Sequence, residues 1–352
     1  MQVEYNWIKS PKFDSLFILL PPFICLLLIA IFPQYFIHSE MDEISWLILI
    51  LLIDVAHVYS TIYRTYMDKE LVLKNKFLFL ISPLILYAAG VILHQINSLY
   101  FWRILAYFAV FHFIRQQYGF MRIYDRANNN KNELLFDKIC IYSFTILPVL
   151  YWHFNGPQKF NWFVSNDFYY INYGQFLPFV KALNITLFIA YIIKEIYITT
   201  TKKKLNSGKI LIMIGTALSW HMGIIYFKGD LTFTLLNVVS HGIPYMALVW
   251  AYGNKTEANT FYKLFKPQNI LWFIGIIIGL AYIEEMLWDN LIWHDHVELF
   301  PNFFQADIQN KIAMNILVPL LALPQMMHYY IDGFIWKLKK DSFGWFSKLF
   351  NH

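Results

Sequence analysis

Charge is scarce in this chain. Asp, Glu, Lys and Arg make up only 14% of its 352 residues, against about 25% in an average soluble domain. So few charges cannot coat a water-facing surface, which implies that much of the surface faces lipid. Cysteine is nearly absent. Cys25 and Cys140 both sit in apolar runs, which excludes a disulfide framework and any cysteine-based zinc or iron–sulfur site. No Gly-rich phosphate loop, flavin or nicotinamide fingerprint is found, and the first residues, MQVEYNWIKSPKFDS, do not read as a cleavable leader. The net charge of +5 is distributed among loops and gives no nucleic-acid footprint. What the chain has in abundance is apolar surface, 58% of residues, and aromatic rings, 20%. Such rings suit interfacial belts and equally suit an aromatic-lined cavity.

Crossing roughly 30 Å of hydrocarbon takes about 20 apolar residues. Ten segments qualify: 15–36, 44–63, 77–95, 99–121, 136–154, 176–198, 209–227, 231–252, 270–288 and 312–336. Pro21, Pro22, Pro83 and Pro324 lie inside them and predict kinks. Alternate loops are basic: 64–76 (Arg64, Lys69, Lys74, Lys76), 122–135 (Arg122, Arg126, Lys131), 199–208 (Lys202, Lys203, Lys204) and 253–269 (Lys255, Lys263, Lys266). The tail adds Lys337, Lys339, Lys340 and Lys348, while loop 289–311 is acidic through Asp289, Asp295, Glu298 and Asp307. The positive-inside rule then places both termini in the cytoplasm. The expected fold is all-α: a polytopic transmembrane helix bundle of about ten spans forming a single domain, 1–352, in the cell (inner) membrane if the source is bacterial.

Ionisable groups inside a span are costly unless paired or bound, which makes each a functional candidate. Span 2 carries Asp54 and His57, span 4 His112, Arg115, Gln116 and Gln117, span 8 Asn237 and His241, and span 10 Gln325, His328 and Asp332. All four spans run in the same direction. Each histidine precedes the basic end of its span by 7–14 residues, which sets the four at similar depth. Asp54 with His57 and His328 with Asp332 have helical spacing and share a face. His57, His112, His241 and His328, with Asp54 and Asp332 as ligands or as orienters of the rings, form the donor set of a metal site; imidazole and carboxylate suit iron, manganese or zinc. The competing reading makes each histidine an interhelical hydrogen bonder. Arg115 could neutralise a carboxylate, bind a substrate head group or snorkel to the surface. Gln116, Gln117 and Asn237 read as interhelical glue. His221 runs the other way, near an outer end, as a lesser ligand candidate. His94 and His153 sit at outer span ends, His294 and His296 form an outer-loop cluster with Asp295, and Glu284 and Glu285 are close enough to the outer end to reach water.

The segments DVAH and HYYID resemble those of integral-membrane non-haem iron enzymes: the histidine-box desaturases and hydroxylases and the membrane-embedded bacterial carotenoid-cleaving oxygenases. The resemblance covers four short segments, and the clustered HxxxH and HxxHH boxes of the desaturases do not occur in any span. It implies one or two iron ions, O₂ as co-substrate, a lipid-like substrate that is desaturated, hydroxylated or oxidatively cleaved, and electrons from a separate donor or from the substrate. In catalysis Asp54, Asp332 and Arg115 are the expected participants beside the ligands. Zinc with the same ligands would activate water instead. Two further readings stay open: haem held between paired histidines, and a proton- or metal-coupled transporter.

Overall fold

A computed structural model describes residues 2–3, 7–38, 40–156, 161–227, 229–255, 269–301, 310–337 and 343–350. Lys263, Lys266, Asp307, Lys339, Lys340 and His352 fall outside the described residues. Each of the ten apolar segments has a helical counterpart. These are α1 (Pro11–Leu19 and Pro21–Ile31), α2 (Glu43–Arg64), α3 (Phe77–Ile96), α4 (Ser98–Tyr124), α5 (Lys131–Phe154), α6 (Gly174–Thr201), α7 (Ser207–Tyr226), α8 (Asp230–Asn254), α9 (Ile270–Trp293) and α10 (Lys311–Ile335). Eight of them are long and apolar enough to cross a membrane, or nine if the two arms of α1 count as one span. At 27 residues α4 is long enough, but Arg103, Arg115, Gln116 and Gln117 lower its hydropathy. The only strands among the described residues are Gln2–Val3 and Lys204–Leu205, paired in parallel.

Side-chain caps start several helices. Asp42 accepts from Ser45 N at 2.7 Å, and Asn130, Asn206 and Asn310 cap α5, α7 and α10 in the same way, satisfying amides that have no partner in the first turn. The expected kink in α1 is present: its arms meet at 54° before Pro21 and Pro22. Proline inside a helix deprives the carbonyl four residues earlier of its donor. At Pro83 that carbonyl belongs to Phe79, and Tyr66 Oη donates to it at 3.1 Å.

The chain forms two compact units. The first comprises Met1–Met41 and Val110–Pro244, the second Asp42–Ala109 and Tyr245–His352. In the first, α5 packs on α6 and α7, and α7 on α1. The α7–α1 contact is close enough that a Cβ on Gly215 would lie 2.7 Å from Pro22 Cγ, and where α7 meets the end of α4 a Cβ on Gly208 would run into the ring of Tyr124. In the second, α2 packs on α9 and α10, and α3 on α10. Outward positions are strongly apolar: Leu271 is 79% exposed, Ile312 71% and Ile96 70%, the mark of surfaces that meet lipid rather than water. Buried polar residues include Thr232, Thr234, Asn237 and His241 on α8 and Ser45, His57, Ser60, Thr61 and Arg64 on α2.

Candidate metal site

The second unit brings His57 on α2 against His328 on α10. Both are 1% exposed, and their rings meet edge to face, centroids 4.8 Å apart. Tyr245 packs edge-on to both, at 5.8 Å and 5.0 Å. Asp54 Oδ1 lies 3.5 Å from His57 Nδ1, as the i, i+3 spacing predicts. Asp332 Oδ1 is 4.0 Å from His328 Nδ1, too far for a hydrogen bond. It acts through a chain instead. Tyr245 Oη donates to Asp332 Oδ1 at 2.7 Å, and Trp336 Nε1 donates to Tyr245 Oη at 3.4 Å. Its own proton given to the carboxylate, Tyr245 accepts from Thr61 Oγ1 at 2.9 Å. Thr61 then accepts from His328 Nδ1 at 2.7 Å. An indole that only donates and, when Asp332 is ionised, a carboxylate that only accepts set this direction. The result is a ring protonated on Nδ1 with its Nε2 lone pair available, the form in which a neutral imidazole binds metal.

The first unit pairs His112 on α4 with His241 on α8, ring centroids 4.9 Å apart and nearly perpendicular. Phe113 lies flat on the imidazole of His241 at 3.7 Å and holds its plane. The local cause is Pro244. Lacking an N–H, it leaves Ser240 O without its helical donor, and Gln117 Nε2 donates there at 3.3 Å. Gln116 Nε2 donates to His241 O at 2.8 Å, and Thr216 Oγ1 donates to Gln117 Oε1 at 2.9 Å. The two glutamines thus fasten α4 to the backbone of α8 at the histidine, as interhelical glue.

These two buried pairs, His57 with His328 and His112 with His241, supply four histidines that could bind a metal ion. Asp54 and Asp332 are not members of this set. The donors fit a metal: all are imidazoles, soft enough for iron or zinc, and neutral imidazole is the ligating form. The remaining candidates go elsewhere. His221 Nδ1 bonds Asn184 Oδ1 at 3.1 Å, Asn237 Nδ2 donates to Phe233 O, and the exposed Arg115 donates to Tyr142 Oη at 2.6 Å. His94 is 8% exposed and bonds Asn315 at 2.7 Å, so it is an interhelical tie, not a residue reaching water. Glu284 is likewise buried, at 4% exposure. Sequence reasoning missed Thr61 and Tyr245. Their signal was spacing: each lies four residues past a histidine, on its face.

It also missed a charge cluster in the first unit. Lys209 Nζ lies 2.8 Å from Glu195, 3.2 Å from Asp137 and 3.8 Å from Asp125. Lys194 pairs with Glu195 at 2.6 Å and with Asp137, and Arg122 with Asp125 at 3.6 Å. Three cations meet three carboxylates, so the cluster is balanced and needs no further ion.

No protein-family model, curated protein or solved structure matches this chain. The fold and the site define a class, an all-helical chain with membrane-length apolar helices and a buried histidine set that could hold a metal.

Proposed function

We propose that the protein is a membrane-embedded, metal-dependent oxidoreductase whose non-haem iron, one or two ions, is held by His57, His112, His241 and His328. The observation that supports this reading is the buried four-histidine set. Iron held by these imidazoles would supply the activation of O₂. The chain's own residues then do three things. Thr61, Tyr245 and Asp332 hold the tautomer of His328, Phe113 and Gln116 hold His241, and the surrounding apolar residues exclude water. A substrate that reaches such a site through the bilayer is lipid-like, which makes desaturation, hydroxylation or oxidative cleavage the reaction class. A separate donor, or the substrate, supplies the electrons. Under this reading ten spans cross the membrane, with both termini in the cytoplasm.

The haem alternative is disfavoured by the pairs themselves. Rings 4.8 Å and 4.9 Å apart, edge to face, leave no slot for a macrocycle between them. The deciding experiment is elemental analysis with a visible spectrum of protein purified without chelators or histidine-tag columns. One or two irons per chain and no Soret band are expected. Stoichiometric zinc would redirect the reading to hydrolysis, a Soret band to haem, and no metal at all to transport.

A further inference from the structure

Sequence places Arg64 at the start of a basic loop. The structure buries it completely, at 0% exposure. It is the last residue of α2, and its guanidinium carbon lies 4.3 Å from the ring centre of Tyr252 and 5.5 Å from that of Trp336. One nitrogen, Nη2, donates to Phe343 O at 3.3 Å. The other two, Nε and Nη1, are buried with no acceptor among the described residues, and no described carboxylate pairs with this arginine. Asp332, one turn before Trp336, is bonded to Tyr245.

A second positive charge meets the same ring. Lys348 Nζ donates to Tyr252 Oη at 3.1 Å. Trp336 and Trp345, centroids 5.2 Å apart, complete an aromatic wall. Two cations thus share this ring, and one of them is a buried guanidinium with two donors that find no acceptor among the described residues. A buried charge with orphaned N–H groups is unfavourable unless an anion completes it. A guanidinium N–H makes a charge-assisted hydrogen bond to a phosphoryl oxygen, and an aromatic belt with lysines is what a span end presents at head-group level.

We infer that Arg64 and Lys348, walled by Tyr252, Trp336 and Trp345, form a binding site for a phosphoryl group. The site stands independently of the histidines and of the iron reading. The phosphoryl group comes from an anionic phospholipid head group or from free phosphate.

The test uses the full chain in nanodiscs of phosphatidylcholine alone or with phosphatidylglycerol. A second arm adds inorganic phosphate against potassium chloride at matched ionic strength. Thermal midpoint and native mass spectrometry are the readouts. Retention of phosphatidylglycerol with no response to phosphate identifies the lipid head group; a rise in the midpoint on adding phosphate identifies the free anion. In either case Lys348→Ala, an exposed position, is expected to weaken binding about tenfold, the scale of one charge-assisted hydrogen bond. Arg64→Lys is expected to weaken it further while keeping one charge at the position. If neither probe binds, or binding is unchanged in both variants, the inference is overturned and Arg64 is a packing residue clamped by its rings.

Discussion

Thr61 carries more of the site than its residue type suggests. It joins His328 to Tyr245 and, through the tyrosine, to Asp332. Thr61→Val keeps shape but removes both bonds. Metal affinity is expected to fall by about 10- to 100-fold, as when other outer partners of ligating histidines are lost, while Thr61→Ser restores it; competition with a chromogenic chelator measures both. Alanine at His57, His112, His241 or His328 should lower bound metal by elemental analysis, and alanine at His294 should not. The histidines were legible because an ionisable group within an apolar run stands out. Thr61 and Tyr245 were not, since a hydroxyl in a membrane helix is ordinary until its partner on another helix is known. The aspartates show the limit of spacing. The i, i+4 pattern puts Asp332 on the face of His328, yet the bond goes to Tyr245.

Helices here are shaped by proline together with a donor from elsewhere in the chain. Tyr66 serves the carbonyl released by Pro83, and Gln117 the one released by Pro244. The prolines are visible in sequence; the donors, which lie outside the helices they serve, are not. In a double-mutant cycle, Gln117→Leu should cost about 1 kcal/mol more with Pro244 present than in a Pro244→Ala background, where the helix regains its own N–H for Ser240. Denaturation of the four proteins in detergent gives the coupling. The turn between α4 and α5 supplies a pH dependence. Burial pushes the carboxyl of Asp125 up to about 6, against the pull of Lys209. A value raised on folding means stability that is full below the ordinary aspartate range and lost as pH rises through about 6. Asp125→Asn is therefore expected to raise the thermal midpoint at pH 8 and change it little at pH 4.

At the scale of the whole molecule, apolar run length reads out directly as helices, because a run of about 20 apolar residues in lipid must satisfy its backbone internally. The proposed direction across the bilayer rests on the basic loops. Single cysteines in 122–135 and 199–208 should react with a membrane-impermeant label only from the cytoplasmic side; labelling from outside would reverse the proposed topology. Composition says least about how tightly helices approach one another. Where α7 meets α1, Gly215 leaves no space for even a methyl group beside Pro22, and the obstruction is a rigid ring with little room to yield. In a library of every single substitution scored for folded protein, most outward positions of α6 and α9 would tolerate any apolar letter. Position 215 would stand as a near-blank column among them, a constraint imposed by a neighbour almost two hundred residues away and by no chemistry of its own.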